Sequence, residues 1–224
     1  MGSATLLDLL RDLSSNVYPA GPPLGSLAWS LALGEDPPMP TDLDIEEVHR
    51  SRQGDSDAYQ CLIKRYQGHV SKIMWRFSRD RRVHEELVQD VFVEAYMSIH
   101  SYRQKAPFSH WLAKIATRVG YRYWRQQARR RRTKTFSLEE WDQLPDEPVA
   151  TMDPSRAGEL VHRLLAQLRP RDRLVLTLRY LEGCDVTETA RRTGWTKSMV
   201  KVQTMRARNR LEKLLARIPG EAEE

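Results

Sequence analysis

Residues 168–211 read LRPRDRLVLTLRYLEGCDVTETARRTGWTKSMVKVQTMRARNRL, and local signals place two short helices on their second half. Asp185 can cap the first of these helices, and Glu188, three residues later, completes a capping box. Gly194 ends that helix, and Thr196 caps the next one. Two helices that are joined by a tight turn containing glycine, the second of them basic, predict a helix-turn-helix that binds DNA.

The second helix of this pair has an apolar stripe and a polar face. Val200, Ala207 and Leu211 recur at the helical period and are expected in the core. In a DNA groove, Lys201 and Gln203 would reach base edges, and the remaining polar side chains would contact phosphates. The predicted DNA-contacting set is Thr196, Lys197, Ser198, Lys201, Gln203, Arg206 and Arg208, with Arg210 as a further phosphate contact. The alternative is an ordinary helical hairpin, because this geometry is common outside DNA binding.

Helical periodicity also fills the middle of the chain and predicts a second, separate unit. The clearest segment is 83–100, where Leu87, Val91 and Ala95 belong to one apolar stripe. A break at 101–107 precedes another helix that begins near Phe108. No strand-like alternation occurs, so the sequence predicts an all-α fold of two small helical domains joined by a flexible acidic linker. The predicted boundaries are a mobile acidic arm at 1–45, a first domain at 46–132, the linker at 133–152, and a second domain at 153–218 that starts at Asp153 and Pro154.

Charge is sorted along the chain. Residues 1–48 contain one basic side chain, Arg11, against eight acids. The stretch 118–134 contains eight basic residues and no acid, and 191–217 contains nine basic residues and one acid, Glu212. Either block alone is as well explained by a solvated face, but two blocks within helical patterns favour a nucleic acid partner.

The first basic block carries arginines and aromatic residues together. Arg118, Arg122, Arg125 and Arg129 share one helix face, and Tyr121, Tyr123 and Trp124 are interleaved with them. Arginine beside accessible aromatic rings suits unpaired bases, because stacking tolerates every base type. The alternative for Trp111 and Trp124 is core packing, which is the commoner role of aromatic residues at this spacing.

Several other classes of protein find little support in the sequence. Cys61 and Cys184 are far apart and form no metal-binding motif, and the six histidines are scattered. Clustered carboxylates, an HExxH motif and a phosphate-binding glycine loop are all missing, so we expect no enzyme, no metal and no cofactor. Without a long apolar run or a signal-peptide pattern, we also expect a soluble cytoplasmic protein that is not inserted in the membrane.

Taken together, residues 55–215 resemble the extracytoplasmic-function sigma factors of the sigma-70 family. The segment EELVQDVFVEAY (Glu85–Tyr96) resembles the polymerase-binding helix of that family, and APFSHWLAKIA (Ala106–Ala116) its promoter-melting loop and helix. The segment at 168–211 resembles its C-terminal domain. Both matches occur in the family's order with an acidic linker between them.

The resemblance implies a sigma factor that binds core RNA polymerase and promoter DNA. It also implies an anti-sigma factor as a partner, since such a partner is usual in the family. The implied polymerase contacts are Glu86, Leu87, Gln89, Asp90, Phe92 and Glu94. The implied contacts with the minus-ten element are Arg103, Phe108, Trp111, Lys114, Arg118, Arg122 and Arg125. The helix from Thr196 would read the minus-thirty-five element. The rival interpretation is a helix-turn-helix regulator that binds operator DNA without polymerase.

The sequence also departs from the family pattern. Arg118 and Arg122 stand where the family usually has Asn and Asp, which predicts an unusual minus-ten preference. Val202 and Gln203 stand in place of Ser and Arg in the recognition helix, so the base preference there should differ as well. The acidic arm at 1–45 is longer than is usual and is hypothesised to shield the basic faces before polymerase binds.

Overall fold

The computed structural model describes residues 42–133 and 154–215, and these residues form helices and no strands. They divide into two compact units, with the boundary between Tyr123 and Trp124. The prediction of an all-α fold is confirmed for the described residues. Apart from Thr133, which ends a helix, the predicted linker lies outside them, as does almost all of the predicted arm, so the character of those segments stays a prediction.

The first unit is built from four α-helices and a short turn. They are α1 (Asp42–Arg52), α2 (Ser56–Trp75), α3 (Arg81–Ser98), a 3-10 turn (Ile99–Ser101) and α4 (Phe108–Thr133), whose last residues group with the second unit. Asp55 caps α2 by accepting hydrogen bonds from the backbone N–H groups of Asp57 and Ala58. Asp80 caps α3 in the same way, with Val83 as the donor.

The start of α1 corrects the predicted boundary of the arm. Residues 42–45 were assigned to the arm, but they are helical, and Asp44 is almost completely buried. Its carboxylate accepts hydrogen bonds from the Tyr66 hydroxyl at 2.6 Å and from the Arg65 guanidinium. The pKa of Tyr66 is raised, mainly by burial and to a smaller extent by the hydrogen bond to Asp44. Asp44 therefore anchors α1 on α2 as a paired buried charge.

The core of the first unit draws on all four helices. Tyr59 on α2 donates its hydroxyl to the backbone oxygen of Phe92 on α3 at 2.5 Å, which fixes these two helices together. Gly120 lies where the ring of Phe77 crosses α4, and any larger residue would overlap that ring. The most deeply buried apolar side chains are Val48, Leu62, Val70, Met74, Val91, Ile99, Phe108, Leu112 and Ile115.

The second unit contains α5 (Pro154–Gln167), α6 (Pro170–Leu176), α7 (Val186–Thr193) and α8 (Lys197–Leu215). Pro154 and Pro170 begin their helices as predicted. The helix from Pro170 does not continue regularly to Gly183, because residues 177–181 form a π-helical turn. In that turn the Glu182 N–H donates to the Thr177 oxygen, five residues earlier, at 2.9 Å.

The predicted helix-turn-helix is confirmed in α7 and α8. The Asp185 carboxylate accepts a hydrogen bond from the Glu188 N–H at 2.6 Å, and Gly194 ends α7 with a left-handed φ of 75°. The Thr196 hydroxyl accepts from the Met199 N–H at 3.2 Å and caps α8. The reciprocal half of the capping box is not formed, because the Glu188 carboxylate pairs instead with Arg191 and Arg192, following it on α7.

Candidate nucleic-acid and protein interfaces

The exposed face of α8 is the first candidate surface. Val200, Ala207 and Leu211 are buried and turn one side of the helix toward the core of the second unit. The opposite side is open to solvent. Of the predicted DNA contacts, Thr196, Lys197, Ser198, Lys201 and Arg206 are exposed on α8 or at its cap, and Arg208 is half-buried at its edge.

Gln203 is not on this face, which corrects its predicted contact with base edges. Its side-chain amide donates a hydrogen bond to Asp172 on α6, and the Asp172 carboxylate is completely buried. Arg210 donates to the other oxygen of the same carboxylate. Gln203 and Arg210 therefore bind α8 to α6. The sequence alone suggested that Gln203 is accessible, because its partner Asp172 lies 31 residues away and no local pattern indicates the contact.

The same face of α8 contains two apolar side chains that were not among the predicted DNA contacts, although Val202 was noted as a departure from the family pattern. Val202 is 43% exposed and Met205 is 58% exposed, although both are large hydrophobic residues. The period set by Val200, Ala207 and Leu211 could have located them, since a helix of about 3.6 residues per turn places 202 and 205 opposite that stripe. They occupy the middle of a face whose other members are polar or basic.

The arginine face of α4 is the second candidate surface. Arg118, Arg122, Arg125 and Arg129 are all exposed, as the sequence predicted. Glu94 on α3 pairs with two of them, at 2.9 Å from its carboxylate to the Arg122 guanidinium and 3.7 Å to that of Arg118. Glu94 was predicted to face polymerase, but its carboxylate belongs to the arginine face.

The aromatic residues at the start of α4 form a cluster of which only part is accessible. Phe108 is 1% exposed, and its ring packs at 5.3–5.4 Å between centroids against Tyr66, Tyr102 and Trp111. This corrects the predicted contact of Phe108 with DNA, because its side chain is a core residue. Trp111 is half-buried at the rim of the cluster and stays available.

The loop before α4 is anchored to the first unit. The Tyr102 hydroxyl donates to the Ala106 oxygen at 2.7 Å, and the Arg52 guanidinium donates to the backbone oxygens of Ile99 and Tyr102. Desolvation raises the pKa of Tyr102, so this phenol stays a hydrogen-bond donor. Arg103 on the loop and Lys114 on α4 are close in sequence to the residues of the aromatic cluster. Both side chains are exposed, as a contact with DNA requires.

The outer face of α3 is the third candidate surface. Glu86, Gln89 and Asp90 are exposed, as predicted. Leu87 and Phe92 are buried in the core of the first unit, so the prediction that they contact a partner is corrected. The apolar side chains that this helix does present are Val93, Tyr96 and Met97, which are 58%, 44% and 79% exposed. The sequence interpretation missed Val93 and Met97.

The described residues also bear on metal binding and on membrane insertion. They contain no group of histidine, cysteine and carboxylate side chains suited to a metal ion, and no helix among them is long and apolar enough to cross a bilayer. Both cysteines are free thiols. Burial raises the pKa of the Cys184 thiol to about 11, which keeps it in the unreactive protonated form.

Comparisons with known proteins agree with this geometry. Residues 62–130 match the family described as Sigma-70 region 2, and residues 158–211 match Sigma-70, region 4. Together the two matches take in more than half of the chain. The first covers most of α2 and all of α3, and the second covers the helix-turn-helix.

Two curated relatives are similar over most of their length. The ECF RNA polymerase sigma-E factor of Haemophilus influenzae is 29% identical over 74% of this chain and 91% of that protein. The RNA polymerase sigma-H factor of Pseudomonas aeruginosa is 25% identical over 80% of this chain and 97% of that protein. A solved structure of CnrH in complex with the cytosolic domain of CnrY has a similar fold, with a TM-score of 0.50 at 21% identity, over 78% of this chain and 98% of that one.

Proposed function

We infer that this chain, which belongs to the extracytoplasmic-function sigma factors of the sigma-70 family, is an alternative RNA polymerase sigma factor. It joins core RNA polymerase, directs it to promoter DNA and is not itself an enzyme. The observation that carries this conclusion is the presence of sigma-70 region 2 and region 4 in one chain and in that order. A stand-alone helix-turn-helix regulator would account for the second match and leave the first unexplained.

Region 4 is proposed to read the minus-thirty-five element through α8. Thr196, Lys197 and Ser198 begin the helix, where backbone N–H groups and the positive end of the helix dipole favour phosphate. Lys201 is exposed one turn further along and Arg206 beyond it. These positions support a helix that lies in the major groove with basic side chains toward both strands.

Region 2 is proposed to bind the minus-ten element through α4 and the loop before it. The contacts proposed are Arg103, Trp111, Lys114, Arg118, Arg122 and Arg125, with Phe108 in the supporting core. The exposed arginine row is suited to phosphates, and the half-buried Trp111 ring is suited to stacking on an unpaired base. Extruding a base costs a few kcal/mol, because the base must be unstacked and unpaired. A site that binds the extruded base offsets this cost, so it both promotes DNA melting and selects sequence.

The outer face of α3 is proposed to dock on core polymerase. Glu86, Gln89 and Asp90 offer charge and amide groups, while Val93 and Met97 supply apolar surface that a partner would cover. An exposed apolar patch beside acidic residues is typical of a protein interface. The resemblance further implies an anti-sigma factor as a partner, and we propose that the protein works in the cytoplasm, where polymerase is found.

Polymerase binding and RNA synthesis test this function. Purified chain with core polymerase should start RNA from genomic templates of its host, and each component alone should not. Asp90→Lys should weaken capture of core polymerase by about tenfold or more, because reversing an interface charge opposes like charges. Glu46→Lys, which reverses an exposed acid on α1, is the matched control and should bind normally. Capture of Asp90→Lys at wild-type levels would contradict the docking surface, and absence of RNA from every template would contradict the function.

A further inference from the structure

The middle of the exposed α8 face is apolar, although the helix belongs to the basic part of the chain. Val202 and Met205 are three residues apart and therefore neighbours on the helix surface. They lie opposite the buried stripe of Val200, Ala207 and Leu211, so they point directly away from the core of the second unit. Any partner that binds the exposed face of α8 would therefore contact these two side chains at the centre of the interface.

Basic side chains flank the apolar pair on both sides. Lys201 precedes Val202 and lies toward one edge of the face, and Arg206 follows Met205 and lies toward the other. A ligand that fits this pattern has apolar groups along its centre and negative charge along both borders. The major groove of DNA has this arrangement where it contains thymine, since base edges form its floor, the thymine methyl group is apolar, and phosphates line its walls.

The apolar group that base edges present in the major groove is the C5 methyl of thymine. Two side chains were predicted to reach base edges. The Gln203 amide is bound to the buried Asp172 carboxylate, and Lys201 lies toward the border of the face, so neither occupies its centre. The side chains that would face the base edges on the floor of the groove are therefore Val202 and Met205, which are apolar and form no hydrogen bonds with the bases.

We propose that Val202 and Met205 select thymine in the minus-thirty-five element by packing against its C5 methyl group. This inference rests on the proposed function, because it presumes that α8 enters the major groove of that element. The two side chains differ in stiffness: valine has one strongly preferred rotamer in a helix, whereas methionine adapts its shape. Val202 should therefore require its thymine at one fixed position, and Met205 should tolerate more variation.

Removing single methyl groups from the DNA tests the proposal. Holoenzyme assembled from the full chain and core polymerase first selects its preferred minus-thirty-five sequence from a randomised library. Each thymine in the selected sequence is then replaced by deoxyuridine, which lacks only the C5 methyl group. Affinity should fall about fourfold at one or two positions, as expected for the loss of one buried methyl-sized contact. At those positions the loss should disappear in Val202→Ala or in Met205→Ala holoenzyme.

Lys201→Ala is the control variant on the same helix. It should bind all promoters more weakly and keep the full deoxyuridine effect, because it removes charge and leaves the apolar pair intact. Selection of a sequence without thymine would overturn the proposal, as would deoxyuridine effects that are absent in the wild type or equal in the wild type and both alanine variants. Holoenzyme that initiates RNA synthesis but ignores the methyl groups would refute this inference alone. Holoenzyme that starts no RNA would refute the proposed function instead.

Discussion

Gly120 on α4 offers a sharp test of how the first unit packs, since an added methyl group has no room. A Cβ atom at this position would lie 2.3–2.5 Å from three atoms of the Phe77 ring. Phe77 is buried, so its ring cannot turn out into solvent. The informative substitution is Gly120→Ala, which improves the helix and damages the core at once.

The size of the effect follows from these two opposed terms. Replacing glycine by alanine inside a helix stabilises by about 1 kcal/mol. Overfilling a packed core typically costs about 1–3 kcal/mol, and a clash with three atoms of a rigid ring belongs in the upper part of that range. We therefore expect Gly120→Ala to lower the free energy of unfolding by about 1–2 kcal/mol. For a unit of this size, each kcal/mol lowers the melting temperature by about 4–8 °C.

The matched control is Gly68→Ala on α2. A Cβ atom there has no neighbour within 4 Å, so this variant keeps the gain in helix propensity without a clash. Thermal unfolding of the full chain, followed by circular dichroism, should show Gly68→Ala melting higher and Gly120→Ala melting lower than the wild type. Adding Phe77→Leu to Gly120→Ala should recover part of the loss. If the two alanine variants were equally stable, the packing described for Phe77 would be refuted.

Four further substitutions test the polar contacts. Glu94→Gln releases the two arginines that it pairs, so holoenzyme should bind promoter DNA about twofold to fivefold more tightly in filter-binding assays; unchanged affinity would contradict that pairing. Asp172→Asn should destabilise the second unit by about 1–3 kcal/mol in urea unfolding, whereas Gln203→Ala should leave the selected bases unchanged. A relaxed base preference in Gln203→Ala would restore the original prediction for that residue. The Ala58 N–H, followed by Arg50, lowers the pKa of Asp55 below its ordinary 3.8, so its cap stabilises above that pH and is lost as the pH falls through the lowered pKa. Asp55→Asn still caps the helix but should remove this acid sensitivity from the pH dependence of melting, and a persistent dependence would exclude Asp55 as its source.

The features that the sequence predicted correctly depend on neighbouring residues. The cap at Asp185, the left-handed Gly194 and the cap at Thr196 each involve groups within four residues of one another. Such signals can be read along the chain without knowing the packing. They were sufficient for the helix-turn-helix and, with the apolar period, for the helical class of the fold.

The features that it missed depend on residues far apart in the chain. The resemblance implied that Leu87 and Phe92 contact a partner, whereas their burial shows that the core of the first unit covers both side chains. Gln203 is engaged by a carboxylate on another helix, and Glu94 by arginines on α4. A periodic pattern identifies the apolar face of a helix but does not show which helix covers that face. Contacts between side chains on different helices therefore cannot be predicted from it.

The π-helical turn at residues 177–181 bears on how this part of the protein can change in length. A regular helix closes each hydrogen bond over four residues, whereas Glu182 reaches back five to Thr177. The turn thus stores one surplus residue as a bulge, upstream of α7 and α8. Deleting one residue in this turn would leave an ordinary helix and keep the orientation of α7 and α8. The turn is therefore a position where the gene can lose a single codon without disturbing the DNA-binding helices.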